Sequence, residues 1–209
     1  PKLVRPFIIL TGARTHQPYL AVRLSDGHFV GRGAAAGLRY FGETPDSLAA
    51  QIEVVRETIE RGVSRLDLLD ILPAGGARAA IDAALWELEA ARAHTTVAAQ
   101  LNISSKPVAS AFTIVLDDPD VMAQQAREEA WRPLLKVKLG GSSDDEAARM
   151  RAVASAAPTT RKVIDANAGW TVSQLATLAP LAAELGYELL EQPLPIGCER
   201  EPASRAALI

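Results

Sequence analysis

Leu134-Leu135-Lys136-Val137-Lys138-Leu139-Gly140 is the stretch on which the fold turns. In an extended strand successive side chains point to opposite faces, so Leu135, Val137 and Leu139 share one face while Lys136 and Lys138 share the other. Two adjacent amines make protonation of the second one harder, which lowers an amine pKa toward a range useful to a base. Lys2, Lys106, Lys136, Lys138 and Lys162 are the only lysines in the chain, whose other strong cations are arginines that hardly titrate. Two of these few deprotonatable cations in one strand point to chemistry. The competing reading is an edge strand with a solvated polar face.

Around that strand the pattern alternates strictly. Strands are expected over residues 108–116, 134–139, 162–165 and 188–191, with helices over 119–129, 143–156 and 171–185 between them. Ser143 with Glu146 fits a capping box. Repeated βα units imply a parallel sheet with helices outside it. Asp165 and Glu191 follow Lys138 at intervals of about one βα unit, so all three fall at the C-terminal ends of consecutive strands, where barrel enzymes keep their chemistry. An unpaired buried carboxylate is costly, so acids at such positions are poor core filler.

Upstream the grammar differs. Strands are expected at 7–10 and 19–24, with a turn at Ser25-Asp26-Gly27 and a return strand over 28–31 that completes an antiparallel hairpin. A polar loop lies over 11–18 and a glycine-rich segment over 31–42. Thr44 can cap a helix with Pro45 at its first position, and Leu48, Ile52, Val55 and Ile59 recur at helical spacing until Gly62. A second helix is expected over 77–93, with Ile81, Leu85, Trp86 and Leu88 as its apolar stripe. Strands followed by helices define an α+β unit ending near residue 105.

The chain has 209 residues, 48% hydrophobic and 22% charged, with a formal charge of -3, which argues against nucleic-acid or membrane-surface binding. Cys198 is the single cysteine, so no internal disulfide forms and a reducing, cytoplasmic setting is expected. No apolar run is long enough for a membrane helix, and no signal-peptide pattern opens the sequence.

Two carboxylates converging from neighbouring strands, with no histidine or cysteine nearby, suit a hard, magnesium-type cation. Salt bridges from Asp165 and Glu191 to Lys136 and Lys138 are the alternative, and the two readings are compatible. A divalent cation beside a lysine base suits removal of a proton from carbon next to a carboxylate, because positive charge stabilises the developing anion while the amine takes the proton. Gly140-Gly141-Ser142-Ser143 reads as a capped turn, with a phosphate cradle as the alternative.

Lys136-Val137-Lys138, Asp165-Ala166-Asn167-Ala168-Gly169-Trp170 and Leu190-Glu191-Gln192-Pro193-Leu194-Pro195 resemble the K-x-K, D-A-N-x-G-W and E-Q-P motifs of the enolase superfamily, muconate-lactonizing subgroup. Enolase-superfamily sites are the general example of a lysine base working beside magnesium, so the match is to a known arrangement. Arg39-Tyr40-Phe41-Gly42-Glu43-Thr44 and residues 80–88, from Ala80 to Leu88, are similar to its capping-domain signatures, particularly those of L-Ala-D/L-Glu dipeptide epimerases. The resemblance runs from about residue 5 to about residue 195. It implies an α+β capping domain over 1–105 followed by a TIM-like (β/α) barrel domain over 106–209, of which only about four βα units are present against the usual eight.

By the same resemblance Asp165 and Glu191 are two of three Mg2+ ligands. Lys138 is the acid/base on one face of the substrate α-carbon, and Lys136 holds the substrate carboxylate and depresses its neighbour's pKa. Arg14 pairs with a substrate carboxylate, Thr113 lines the pocket, and Trp170 reads as packing. The implied activity is Mg-dependent epimerisation of dipeptides, with muconate cycloisomerase or o-succinylbenzoate synthase chemistry as the enzymatic alternative. The implied partner is a small dipeptide, with no nucleic acid and no membrane, and a homo-oligomer is compatible with it.

The third metal ligand and the opposite-face lysine lie outside the chain, the run from Ile196 to Ile209 leaves the family pattern, and Ala34 stands where related capping domains carry glutamate. A longer polypeptide is therefore expected. The non-enzymatic alternative is a half-barrel assembly module that hides its open sheet edges against another chain.

Overall fold

The computed structural model describes residues 1–9, 12–38, 41–104, 106–141 and 145–198. They form two compact units, one of Pro1–Lys2 with His16–Lys106, the other of Leu3–Thr15 with the residues from Pro107 onward.

In the first unit, β3 (Leu20–Ser25) and β4 (Val30–Ala35) pair antiparallel, with Leu20 opposite Ala35 and Ser25 opposite Val30. The Asp26 carboxylate closes the turn by accepting from the His28 and Phe29 amides at 3.0 and 2.8 Å. β4 runs on through Gly31 and Gly33, beyond the expected end of the return strand and into the glycine-rich segment. The reason lies in α3 (Gly76–Arg92), whose face of Ala77, Ala80 and Ala84 lets backbone approach backbone. A Cβ at Gly31 would overlap the Ala84 carbonyl oxygen, and one at Gly33 that of Ala80. The glycines are there to be covered by the helix.

Helix α1 (Pro45–Glu60) begins as the sequence predicts, with Thr44 accepting from the Ser47 amide at 3.1 Å and Ser47 returning the bond. Its Ile52, Val55 and Ile59 pack with Ile81, Leu85, Leu68, Val22 and Leu24 into one apolar cluster. The short helices α2 (Leu68–Ile71) and α4 (Val97–Gln100) were not expected; each is too brief to show a helical period. Glu43 accepts from the amides of Leu38 at 2.9 Å and Gly76 at 2.8 Å, holding its loop against the start of α3. Arg39 and Tyr40 of the same motif lie outside the described residues.

In the second unit, β5 (Phe112–Ile114), β6 (Leu134–Lys138), β7 (Arg161–Asp165) and β8 (Tyr187–Glu191) form a parallel sheet in chain order. Between them run α5 (Pro119–Glu128), α6 (Glu146–Ala156) and α7 (Val172–Glu184). This is an arc of a (β/α) barrel. Ile114, Leu135, Val137, Leu139 and Ile164 are fully buried against Met122, Met150, Val153, Leu175 and Leu178, each large apolar side chain contributing about 1.5–3 kcal/mol.

Three expectations change here. Residues 108–116 supply only the short β5, because Phe112 pairs with Leu135 and Pro133, just before β6, has no amide to extend the ladder. The polar run 11–18, expected as a loop, contains β2 (Gly12–His16), which pairs with β1 (Lys2–Ile9); a strand exposed on both faces carries no alternation to betray it. Helix α6 starts at Glu146 rather than 143, with Asp145 in the capping position. Ser143 lies outside the described residues, and Glu146 is engaged elsewhere. Among the described residues no helix is long and apolar enough to cross a membrane.

Gly33→Ala is expected to lower stability by about 1–3 kcal/mol, the usual range for overpacking. Urea titration measures it, and a loss below about 0.5 kcal/mol would contradict the β4–α3 contact as described.

Candidate active site

The two faces of β6 divide as its alternation requires: Leu135 and Val137 enter the core, and Lys136 and Lys138 project from the other face. Parallel register then chooses their neighbours. Lys136 stands between Thr113 and Val163, its register partners on either side, and Lys138, Asp165 and Glu191 form the next row toward the strands' C-terminal ends.

Within that row opposite charges meet. Lys138 Nζ lies 2.6 Å from Asp165 Oδ2 and donates to Asn167 Oδ1 at 3.2 Å. Lys136 Nζ reaches the same Asp165 oxygen at 2.9 Å and Glu191 Oε2 at 2.6 Å. The Asn167 amide donates to the other Asp165 oxygen at 3.0 Å. Asp165 is almost fully buried, whereas the Glu191 side chain is 40% exposed. Phe7 of β1 places its ring 6.0 Å from Lys138 Nζ.

Burial alone would push the Asp165 carboxyl up, but Lys138, Lys136 and the Asn167 amide outweigh it and hold the group below the usual carboxylate range. Burial pulls the Lys136 amine down, yet Glu191 and Asp165 together raise it above an ordinary lysine. For Lys136 the expected depression by a neighbouring amine is thus reversed, because two carboxylates bear on it.

The other expected residues fall as follows. Thr113 is half-buried beside Lys136 on β5. Arg14 is half-buried in the middle of β2, in the same compact unit as these strands. Trp170 is fully buried and its indole donates to Glu146, which makes it packing as expected. Of Gly140-Gly141-Ser142-Ser143 the two serines lie outside the described residues, and the amides of Gly140 and Gly141 are taken by Glu146.

Nothing in the spacing of the sequence marks Asn167, although it contacts both members of the buried ion pair. Its positive φ of 50°, with 60° at Ala168, is the cause: the chain turns back so that the amide and side chain after β7 both face Asp165.

Asp165 and Glu191 are hard oxygen donors converging on one ammonium group, a position at which a small divalent cation would meet the same two carboxylates. Among the described residues no group of three or more histidine, cysteine or acidic side chains gathers. The donor set fits part of a magnesium site.

A capping α+β unit joined to a (β/α) arc, with lysines and acids ending consecutive strands, defines a barrel enzyme scaffold, and the chain belongs to the enolase superfamily. Residues 1–101 match the mandelate racemase / muconate lactonizing enzyme N-terminal domain, and residues 121–208 match the enolase C-terminal domain-like family. The L-Ala-D/L-Glu epimerase of Escherichia coli (strain K12) is 39% identical over 193 residues, covering 91% of this chain and 60% of that protein. An enolase family member from Agrobacterium tumefaciens with homology to dipeptide epimerases, solved with sodium and L-Ala-L-Glu, is 42% identical with a TM-score of 0.90, covering 94% of this chain and 60% of its own. A dipeptide epimerase from Cytophaga hutchinsonii, complexed with Mg and D-Ala-L-Val, has a TM-score of 0.86 at 26% identity, covering 99% and 60%. The chain therefore spans about 60% of the length of these relatives.

The ion pairs set a pH window for metal-free protein. Asp165 has a lowered pKa when folded, so below about pH 4 the unfolded chain takes the extra proton and stability falls as pH drops through the folded value. Lys136 has a raised pKa, so its contribution holds below about pH 10 and is lost as pH rises through its folded value. Asp165→Asn should cost about 3 kcal/mol near neutral pH by leaving two amines without their shared partner. In chelator-treated samples the difference from wild type should shrink on acidification, and a pH-independent difference would contradict the assignment.

Proposed function

We propose that the protein carrying this chain is a magnesium-dependent epimerase of dipeptides of the L-Ala-D/L-Glu type, acting by proton abstraction α to a carboxylate. In this reading residues 1–105 are the capping domain and 106–209 the barrel portion. The observation that carries it is the one cluster in which Lys138 and Asp165 pair while Lys136, from the row below, bridges Asp165 to Glu191. The relatives named above support the substrate class.

Asp165 and Glu191 would hold the metal, which when bound supplies positive charge to the substrate carboxylate and so acidifies the adjacent C–H. Lys138 is the base. Its stem is buried, its amine is held by Asp165 and Asn167, and it sits at the C-terminal end of β6, where barrel chemistry occurs. Once deprotonated, Lys138 Nζ takes the α-proton and returns it as an acid. Lys136, kept protonated by its carboxylate neighbours, binds the substrate carboxylate. Thr113, beside Lys136, lines the row below, and Arg14 pairs with the second carboxylate of a glutamyl side chain. These residues serve one face of the α-carbon; inversion also needs a proton donor on the other, which the proposal assigns to the rest of the barrel. The single cysteine supports a cytoplasmic setting.

Incubation with L-Ala-L-Glu and Mg2+ in deuterated water should place deuterium at the glutamyl α-carbon, read by proton NMR or mass spectrometry. Lys138→Ala should slow incorporation by about 10²–10⁴, the usual worth of a general base, and chelation should stop it until Mg2+ is restored. No incorporation into this or any related dipeptide would reject the proposal.

A further inference from the structure

The geometry assigns to Glu146 the role of a positioning residue, a buried carboxylate that sets the spacing of the loops carrying Lys138 and Asp165. The assignment rests on the epimerase reading for its functional meaning but on contacts of its own. Glu146 opens α6 and is 2% exposed. Its Oε2 accepts from the Gly140 amide and the Trp170 indole, each at 3.0 Å. Its Oε1 accepts from the Gly141 amide at 3.3 Å and from Arg149 Nη1 at 3.0 Å. Gly140 and Gly141 follow the strand of Lys138 after Leu139, and Trp170 ends the segment that starts with Asp165.

Arg149 extends the link by one strand, because its Nε donates to the Asp117 carbonyl at 2.8 Å, in the loop after β5. One buried ion pair thus ties together the C-terminal ends of β5, β6 and β7, the strands of Thr113, Lys138 and Asp165. The two loops it joins are also in backbone contact. A Cβ at Gly140 would overlap the Ala166 carbonyl oxygen, and one at Gly169 would overlap that of Gly140. Gly140 has φ +114°, a conformation closed to other residues, so neither loop can yield by a side-chain adjustment.

A carboxylate so buried is not needed to fill the core, and apolar packing of the same volume would serve stability as well. What a carboxylate adds is direction. Four donors, from two loops and from helix α6 itself, converge on two oxygens, and a fully satisfied buried network has one low-energy arrangement. The arrangement it selects puts Lys138 Nζ 2.6 Å from Asp165. A misplacement of about 1 Å is enough to slow catalysis by about 10²-fold without touching the reacting groups.

Two substitutions test this, both in the whole protein. Glu146→Gln keeps the volume but sets an amide donor against donors; Trp170→Phe removes the indole bond at the cost of a small cavity and remains informative if the first variant does not fold. Each is expected to lower kcat for α-proton exchange about tenfold or more with KM for L-Ala-L-Glu within about threefold, the split of a displaced base rather than lost binding. The double variant should be no worse than the worse single one, since both cut the same link. Independently of turnover, amide exchange at Leu139, whose N–H donates to the Asp165 carbonyl at 3.0 Å, should accelerate beyond the change in global stability. Leu178→Ala, in the core away from these loops, should accelerate it only in step with global stability. Unchanged kcat in a folded variant, or Leu139 exchange that merely follows global stability, would overturn the inference. Accelerated Leu139 exchange with no turnover of any dipeptide by wild type would instead overturn the epimerase reading and uphold the link between the loops.

Discussion

The parallel register of β6 against β7 is the constraint on which the rest depends. Lys138 stands opposite Asp165 because Val137 stands opposite Ile164, and Val137 and Ile164 are fully buried. A slip of one residue would expose the apolar row and send both charges into the core. The cost of burying unpaired charges there far exceeds the cost of a disturbed ladder. The hydrophobic face therefore sets the position of the charged one, and the charge pairing is a consequence of core packing as much as of attraction. Lys136 gains its two carboxylates in the same way, through a strand order in which β7 and β8 follow β6 without interruption.

Some of the backbone that finishes this arrangement is strained. Asn167, Ala168 and Gln192 are non-glycine residues with φ of 50°, 60° and 45°, a region that disfavours side chains. They sit directly after the ends of β7 and β8, and their neighbours stitch the loops together: Ala166 donates to the Glu191 carbonyl at 3.1 Å, Ala168 to that of Gln192 at 2.7 Å and Trp170 to that of Pro193 at 2.9 Å. The bonds between loops offset the strain within them. Left-handed residues at these points also explain how Asn167 turns both its amide and its side chain toward the ion pair.

What could be read beforehand follows from how local each determinant is. The alternation of residues 134–139, the Thr44-Pro45 helix start and the apolar stripe of α3 are all properties of contiguous sequence, and the structure keeps them, save that Trp86 is only half-buried. The full length of β4 was not legible because the partner of its glycines, the alanine face of α3, lies far along the chain. Arg14 sits on a strand because β1 supplies the ladder, which nothing in residues 12–16 announces. Glu146 presented a helix-start pattern, so a capping role sufficed to explain it; its real partners, Gly140 and Trp170, come together only once two loops are folded side by side. Of the charged cluster, the meeting of the lysines with the acids was legible from spacing and resemblance, while the part of Asn167 was not, since it rests on backbone conformation.

Rigidity is unevenly shared across the row. Helix α6 is fixed at its start by Glu146 and at its end by Lys162, a buried amine that donates to the carbonyls of Ala157 at 3.0 Å and Thr160 at 2.7 Å. Burial pushes Lys162 below the usual lysine range, yet its cation lies where a helix C-terminus favours positive charge. Lys162 belongs to β7, so the strand that ends in Asp165 also holds the far end of the helix that begins at Glu146. Glu191 has no such frame: its strand pairs with β7 through a register shift between Lys162 and Ile164, and its side chain is the most exposed of the four. Lys138 and Asp165 are accordingly the fixed reference of the charged cluster, and the freedom in it falls to Glu191, whose carboxylate can move without breaking the core that positions the others.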